Sequence, residues 1–600
     1  MNMAERFALD DLAGHNLPDG TILARNRRTG AQMVLPAEVF NAISYCDAFR
    51  TMEEHISSLA GPAAGGREGE IRQILQTVVN GGLMLSASAI CDSLQPADPA
   101  VQDQNPVVAI ITCERPGALA RLLQSMRLRC HLEGIHRVFV VDDSRDPEQV
   151  EANRKIILEA RDSLISDGLS EISHFSPDKA KALVNALVAS LPQHEQGIRF
   201  LLDREGRTNE VTTGITRNLA QLLAVGRPLL VFDDDVLCDV LEPPNKSPGI
   251  EFSATQRECR IFESDSDWQN AAAQTNTCPI QQHMQVLGRK LPDCLGAMKQ
   301  QKPDPAAFEN TRPGFASRIG SDSRIKISQC GSYGDPGSAG NEWIALLPAA
   351  TRAQLGAIVN EIGTSAVERN CWLGRSRPAF EPRANMSQLT GFDNSRYLPP
   401  YFPLFRGQDR CFGTFTEFLY PNDLTVDLPF ALPHLPTPRR DWKTSNRGLV
   451  IPFSLKHFLH DFVSSHSAGC QARGAEQRNL GLAMLYADLA DAPRTRLAEM
   501  TANNWTQRRI DWLAKISQAL NNPAEPAPLR KFLESMLRDA QENSIAQTHE
   551  TPFEGPPDRG GSGEVLEYWR AAWRDLAAGL SAWPEVREAA EVWRQNKGSE

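Results

Sequence analysis

The feature that most constrains this chain is a series of short apolar runs, each ending on polar or acidic residues and separated by stretches of helical periodicity. Val107-Val108-Ala109-Ile110-Ile111 is unbroken apolar sequence, the pattern of a strand covered on both faces. A polar turn from Thr112 to Gly117 follows, and Leu119, Leu122, Leu123 and Met126 then make an i, i+3, i+4, i+7 stripe. Val138-Phe139-Val140-Val141 is the next buried strand and ends at Asp142-Asp143-Ser144. Arg199-Phe200-Leu201-Leu202 reads as another strand. Gly214 opens a helix whose apolar face continues through Leu222 and Leu223 to a stop at Gly226. Pro228 to Phe232 is a further strand, and it delivers Asp233, Asp234 and Asp235. Strand, helix, strand in this order is the unit of a parallel sheet, so the expected fold class is α/β. Ligands of such sheets lie at the carboxyl ends of the strands. That places Thr112, Glu114, Arg115, Asp142, Asp143 and the acidic triplet on one rim.

Three adjacent carboxylates at a buried strand end repel one another and are costly to desolvate. A divalent cation is the simplest compensation, and oxygen ligands suit Mg2+ or Mn2+ together with substrate phosphates. Side chains alternate along a strand, so Asp233 and Asp235 are expected on one face and Asp234 on the other.

At 600 residues the chain is too long for one core. Four segments separate by pattern: residues 1–91, a Pro/Asp/Gln-rich linker at 92–106 with little to bury, the strand–helix region at 107–440, and a mainly helical region at 441–600. The first segment reads as a small winged-helix unit. Thr21 to Ala24 and Gln32 to Leu35 flank a hairpin turn, Pro36 opens a helix, Thr51-x-x-Glu54 is a capping box, and Ile71 to Val79 is a third helix ended by Gly81-Gly82. Residues 1–90 hold seven Arg, no Lys and ten Asp/Glu, a balance unlike that of a nucleic-acid binder. The whole chain carries −11, which argues against a general polyanion partner.

Twelve cysteines without a CxxC pair give no disulfide framework or zinc module, and Cys46, Cys113 and Cys238 read as buried free thiols. The N-terminus lacks an apolar signal core, and no apolar run reaches the roughly 18 residues of a membrane span. A reducing, cytoplasmic setting is the expectation. In the C-terminal region Trp505, Trp512, Trp569, Trp573, Trp583 and Trp593 read as packing anchors, and His457 and His460 as a solvated helix face. The Gly-rich stretch Cys330 to Gly337 reads as a mobile loop beside a ligand, and 241–310, low in periodicity, as an insertion or acceptor lid.

Two resemblances sharpen these expectations. "LPAEVFNAI", "CDAFRTMEEHI" and "ILQTVVNGGLMLS" resemble the PqqD-like family, about 70 residues in length of match. Those domains bind leader peptides of ribosomally made, modified peptides by adding the peptide as a strand at the hairpin edge. "VVAIITCERP", "VFVVDDS", "GITRNLA" and "PLLVFDDDV", in that order, resemble the inverting, family 2-like glycosyltransferases of GT-A (Rossmann-like) fold. The resemblance implies that Thr112, Glu114, Arg115, Asp142, Asp143 and Asp234 hold the nucleotide-sugar donor, with Arg217 near its diphosphate. It also implies that Asp233 and Asp235 hold Mn2+ or Mg2+, with His434 completing that site. In the second half of the domain Gly391-Phe392-Asp393 and Arg406 to Gly413 are expected on the acceptor side. The family's acidic pair there is usually Glu-Asp. This chain has Gln408-Asp409, which leaves Asp409 as the catalytic base. An ion pair of Asp409 with Arg406 or Arg410 is the bland alternative.

The implied function is sugar transfer from a nucleotide-diphosphate donor to an acceptor, with inversion. A ribosomally made peptide delivered through residues 1–91 is the expected acceptor. The competing readings are a non-catalytic leader-peptide-binding scaffold and a transferase of polysaccharide or glycan assembly.

Overall fold

The computed structural model describes residues 5–60, 66–99, 105–207, 210–253, 257–262, 273–338, 341–360, 368–384, 388–404, 407–443, 455–467, 469–470, 472–546 and 562–597. Arg406 lies outside them. Every structural statement below concerns these residues.

The N-terminal unit contains strands β1 (Arg6–Leu9), β2 (Leu12–Asn16), β3 (Thr21–Asn26), β4 (Gln32–Pro36), β5 (Arg50–Thr51) and β6 (Met84–Ser86), arranged as two three-stranded sheets, β5-β1-β6 and β2-β3-β4. The expected hairpin is β3–β4, antiparallel with Thr21 opposite Pro36. The capping box forms reciprocally: Glu54 N–H donates to Thr51 Oγ1 at 3.2 Å, and Thr51 N–H donates to Glu54 Oε2 at 2.7 Å. Phe7, Ile43, Ile56, Leu75, Val78 and Leu83 form this unit's own core.

The linker buries more than its composition suggests. A helix, Ala87–Asp92, opens it, Leu94 is fully buried, and Ala97 N–H donates to the Pro292 carbonyl at 3.0 Å. Ala8, Phe49, Leu85, Cys91 and Leu94 join the core beneath one face of the central sheet.

That sheet comprises β7 (Val107–Thr112), β8 (Arg137–Asp142), β9 (Ile172–Phe175), β10 (Leu229–Asp233), β11 (Val240–Leu241), β12 (Glu251–Phe252), β13 (Glu258–Ile261), β14 (Gln274–Thr275), β15 (Ile325–Gly334), β16 (Cys371–Gly374), β17 (Ala379–Glu381), β18 (Leu389–Phe392) and β19 (Leu424–His434). Its main path is β12-β17-β19-β15-β18-β10-β7-β8-β9. The expected strands at 107, 138 and 229 are adjacent and parallel. β18 is antiparallel to β10 and β15 antiparallel to β18, so β15 and its parallel neighbour β19 run the same way as β7 and β10. The sheet is therefore mixed, within an α/β architecture.

Two expectations change. Arg199–Leu202 is the end of a helix, Glu195–Leu202, not a strand. A short apolar run is ambiguous by period alone, and here Gly197 decides the packing. A Cβ there would lie 2.7 Å from the backbone of Ala578 and Gly579, so this helix and the C-terminal helix Ser562–Lys597 touch backbone to backbone. The Gly-rich stretch from Cys330 is not a mobile loop. Through Gly334 it is the second half of β15, buried throughout, where a Cβ on Gly331 would meet the carbonyls of Leu373 and Phe430 at 2.7 and 3.1 Å. Its glycines serve close strand approach. Pro429 to His434 is likewise strand, the second half of β19. The register between β15 and β19 slips at Cys330/Gly331 opposite Leu428/Ala431, and Pro429 sits in that irregularity, where a proline's missing N–H is tolerated.

The C-terminal helices share their buried residues with the sheet's other face. Val107, Ile111, Leu229 and Phe392 lie in one core with Tyr486, Trp569, Trp573 and Trp583. His460 is not solvated: it is buried, accepting from or donating to Thr414 Oγ1 at 2.6 Å. Among the described residues, no helix is long and apolar enough to cross a membrane.

Candidate functional site

The parallel strands deliver Thr112, Asp142, Asp233, Gly334 and His434 to one rim, because each is the last residue of β7, β8, β10, β15 or β19. Past β10 the chain turns and pairs with the end of β19. Val236 bridges His434, and Leu435 N–H donates to the Asp235 carbonyl at 2.8 Å. This pairing brings His434 beside the triplet across 200 residues of sequence.

β10 stops at Asp233, and Asp234 and Asp235 form a turn. The expected alternation therefore ends before it can pair Asp233 with Asp235. Asp234 and Asp235 instead share one arginine. Arg115 Nη1 donates to Asp235 Oδ2 at 2.7 Å, and Arg115 Nη2 lies 2.8 Å from Asp234 Oδ1. Asp234 is fully buried; its Oδ2 accepts from Thr112 Oγ1 at 2.7 Å, while its Oδ1 makes no hydrogen bond despite the nearby guanidinium. Burial, only partly countered by Arg115 and Thr112, pushes the Asp234 carboxyl up to about 7. Asp235 goes the other way. Burial opposes its charge, yet His434 and Arg115 hold its carboxyl well below the usual range.

His434 Nε2 faces Asp235 Oδ1 at 3.4 Å, and Nδ1 lies 2.7 Å from the Asp335 carbonyl. A hydrogen on Nδ1, donated to that carbonyl, leaves Nε2 as the nitrogen aimed at the carboxylate. The pair is then satisfied by a proton on Nε2 or by a cation. Burial disfavours the imidazolium, but Asp235 outweighs it and raises the His434 pKa. Asp335 is itself held by Arg440 at 2.9 Å.

Arg217, on the helix Thr213–Leu223, connects the third triplet member to Asp409. Its Nη2 donates to Asp233 Oδ1 at 3.2 Å, and its Nε lies 3.2 Å from Asp409 Oδ1. Asp409 thus pairs with Arg217 rather than with Arg410. It lies in the first turn of the helix Gln408–Leu419, where the helix dipole favours a carboxylate. Arg217, Asp233, Tyr401 and Asp409 line a cleft closed by Phe392 and Phe412. Gly391-Phe392-Asp393 does not reach this rim with its acidic end. Phe392 pairs with Leu229 at the start of β10, and Asp393 is buried at the far edge beside Lys326.

The expected donor side is partly closed on itself. Asp142 accepts from Ser144 N–H, His174 and Asn153, which lower its carboxyl against the opposing effect of burial. Asp143 accepts from Arg204 Nη1 and Thr212 Oγ1, each at 3.1 Å, and burial raises its carboxyl. Glu114 adopts φ +55°, an uncommon conformation for a non-glycine residue, and its Oε1 accepts from Arg145 N–H at 3.2 Å. Arg204, Thr212 and Tyr401 join the site beyond the residues expected from the sequence. Thr212 adjoins the "GITRNLA" motif, and Arg204 follows the segment misread as a strand.

Fully ionised, four carboxylates face two guanidiniums on this rim, leaving two negative charges that His434 offsets only when protonated. The Asp235–His434 pair and this residual charge fit a hard divalent cation held by carboxylate and imidazole. With the arginines interposed, no three carboxylate, imidazole or thiol groups among the described residues are gathered tightly enough to hold one. Compared with known proteins, the chain matches no family model, and no curated protein matches it in sequence.

Proposed function

We propose that residues 107–440 form a GT-A-fold glycosyltransferase domain that moves a sugar from a nucleoside-diphosphate donor to an acceptor hydroxyl or thiol with inversion. The observation that supports this best is the convergence of the Asp233–Asp235 turn, His434 and Asp409 on the carboxyl rim of parallel strands, where an α/β sheet binds its ligand. Asp233, Asp235 and His434 are the residues that would hold Mn2+ or Mg2+. When bound, the cation neutralises charge developing on the leaving diphosphate.

The chain's own residues do the rest. Thr112 and the Glu114 backbone fix the loop carrying Arg115. Asp143, with Arg204 and Thr212, shapes the wall on which the nucleoside rests. Asp409 accepts the acceptor proton as the acceptor oxygen or sulfur bonds to the anomeric carbon and the carbon–oxygen bond to phosphate breaks, its electrons leaving with the diphosphate. Arg217, paired with Asp409, orients it toward that carbon. Attack opposite the leaving group inverts the centre.

Residues 1–91 support a peptide acceptor. In the sheet β2-β3-β4 both β2 and β4 are edge strands among the described residues, and Val34 on β4 is 54% exposed. An open hairpin edge suits a PqqD-like, winged-helix mode in which a leader peptide adds as a strand.

The test is release of nucleoside diphosphate from a panel of nucleotide sugars with Mn2+ or Mg2+, with and without candidate peptides. Turnover that depends on Asp235 supports the reading. Absence of any donor turnover and of any donor binding overturns it.

A further inference from the structure

One carboxylate expected to take a divalent cation, Asp235, already carries a cation that it shares with its neighbour Asp234: the Arg115 guanidinium. One nitrogen lies on Asp234 and the other on Asp235, the second with full hydrogen-bond geometry. The opposite oxygen of Asp235 faces His434. Asp235 is thus flanked by Arg115 on one side and a candidate ligand nitrogen on the other. Arg115 also differs from its partners in exposure. Its side chain is 40% exposed, while those of Asp234 and Asp235 are 0% and 8% exposed, so it closes the pair from the solvent side.

Its backbone is that of a movable arm on a fixed base. Arg115 precedes Pro116 at the start of the helix Pro116–Arg129, and Glu114 before it, at φ +55°, donates its N–H to Ser144 Oγ at 2.8 Å. The side chain beyond this anchor is long and flexible, and a guanidinium binds two phosphate oxygens as readily as two carboxylate oxygens.

We propose that Arg115 is a built-in counter-ion that holds Asp235, with its neighbour Asp234, in the cation's absence and passes to the donor's diphosphate when a divalent cation binds at Asp235. This rests on the transferase reading of the site. Cation and nucleotide then assist each other: the cation frees Arg115, and the phosphates hold it away from the carboxylates. Without phosphate, the arginine competes with the cation.

The experiment measures binding, not turnover. Mn2+ affinity of the full chain is measured alone by calorimetry, for wild type, Arg115→Gln and Arg115→Lys. Affinity for UDP, GDP, ADP and CDP is measured separately at saturating Mn2+. Arg115→Gln is expected to bind Mn2+ about tenfold more tightly than wild type and the preferred nucleoside diphosphate about tenfold more weakly, within the usual range of coupling between sites. Arg115→Lys, which keeps the charge but not the fork, is expected to fall between. It also covers the case in which Arg115→Gln does not fold. Unchanged or weaker Mn2+ binding in the variants, or undiminished nucleotide binding, overturns the proposal. Failure of the transferase reading is distinct: wild type then binds no nucleoside diphosphate at all.

Discussion

Arg217 Nε lies 3.2 Å from Asp409 Oδ1, and the same guanidinium donates to Asp233 Oδ1 at 3.2 Å. One half-buried cation therefore joins the triplet to the proposed base, and removing it strands two carboxylates. Arg217→Met is expected to lower stability by about 1–2 kcal/mol, between the cost of breaking an exposed pair and a buried one. Arg217→Met combined with Asp409→Asn should recover part of that loss. Denaturant unfolding of the single and double variants gives the coupling directly; simple additivity would show that the two side chains act independently.

Asp409→Asn separates proton transfer from binding. If Asp409 is the base, donor-to-acceptor transfer falls by about 10^2- to 10^4-fold, the range for loss of a general base. Affinity for nucleoside diphosphate should stay within about threefold of wild type, since uniform binding is untouched. Equal losses in both would make Asp409 a donor-binding residue instead.

Gly331→Ala tests the close approach inside the sheet. Its Cβ would sit 2.7 Å from the Leu373 carbonyl and 2.9 Å from Gly374 Cα, and backbone on both sides cannot move aside cheaply. A loss of about 1–3 kcal/mol is expected, read as a lowered melting temperature, with secondary structure retained.

These positions also show what could be read beforehand. β7, β8 and β10 were legible because parallel central strands are covered on both faces and so appear as unbroken apolar runs. The acidic triplet was legible because it ends such a run. β15 was not, since Gly331 and Gly334 serve backbone contacts with strands distant in sequence, and in sequence such glycines look like turn formers. Glu195–Leu202 failed for a related reason: its apolar residues are buried by a helix nearly 400 residues away. At the site, alternation assigns Asp233 and Asp235 to one face, but the strand ends at Asp233, two residues short of Asp235. Arg115 on Asp234 and Asp235, and Arg217 on Asp409, are tertiary pairings for which the sequence carries no local signal.

His283 provides a pH test away from the rim. It is buried, with Nδ1 2.8 Å from Ser328 Oγ and its ring edge against Phe430, and burial drives its pKa down to about 3. Below its ordinary value of 6.5 the unfolded chain takes up a proton that the folded chain refuses, so this residue's contribution is lost as pH falls from about 6.5 toward 3. Other buried groups titrate in the same window; Asp234, raised to about 7, has the opposite sign. The difference between wild type and His283→Asn isolates the histidine. The stability advantage of wild type should shrink by about 1.4 kcal/mol per pH unit between pH 6 and 4. A pH-independent difference would show that His283 titrates alike in both states.

Residues on both sides of the boundary at residue 440 share one core. Trp583 is fully buried, and its Nε1–H donates to the Leu398 carbonyl at 2.9 Å. Arg587, four residues on, donates to Asn394 Oδ1 at 2.8 Å. The helix Ser562–Lys597 thus covers the face of the sheet formed by Val107, Leu229 and Phe392, and its removal would expose that apolar surface. Trp583→Ala is expected to cost about 3–5 kcal/mol, as large-to-small changes in a packed core do. A chain ending at residue 440 should fail to give a soluble, cooperatively melting protein, whereas one lacking only residues 1–91 should keep the core shared by the sheet and the C-terminal helices. Cooperative melting of the 1–440 fragment would show that the sheet is complete without those helices, and that the segment after 440 is an attachment instead of part of its core.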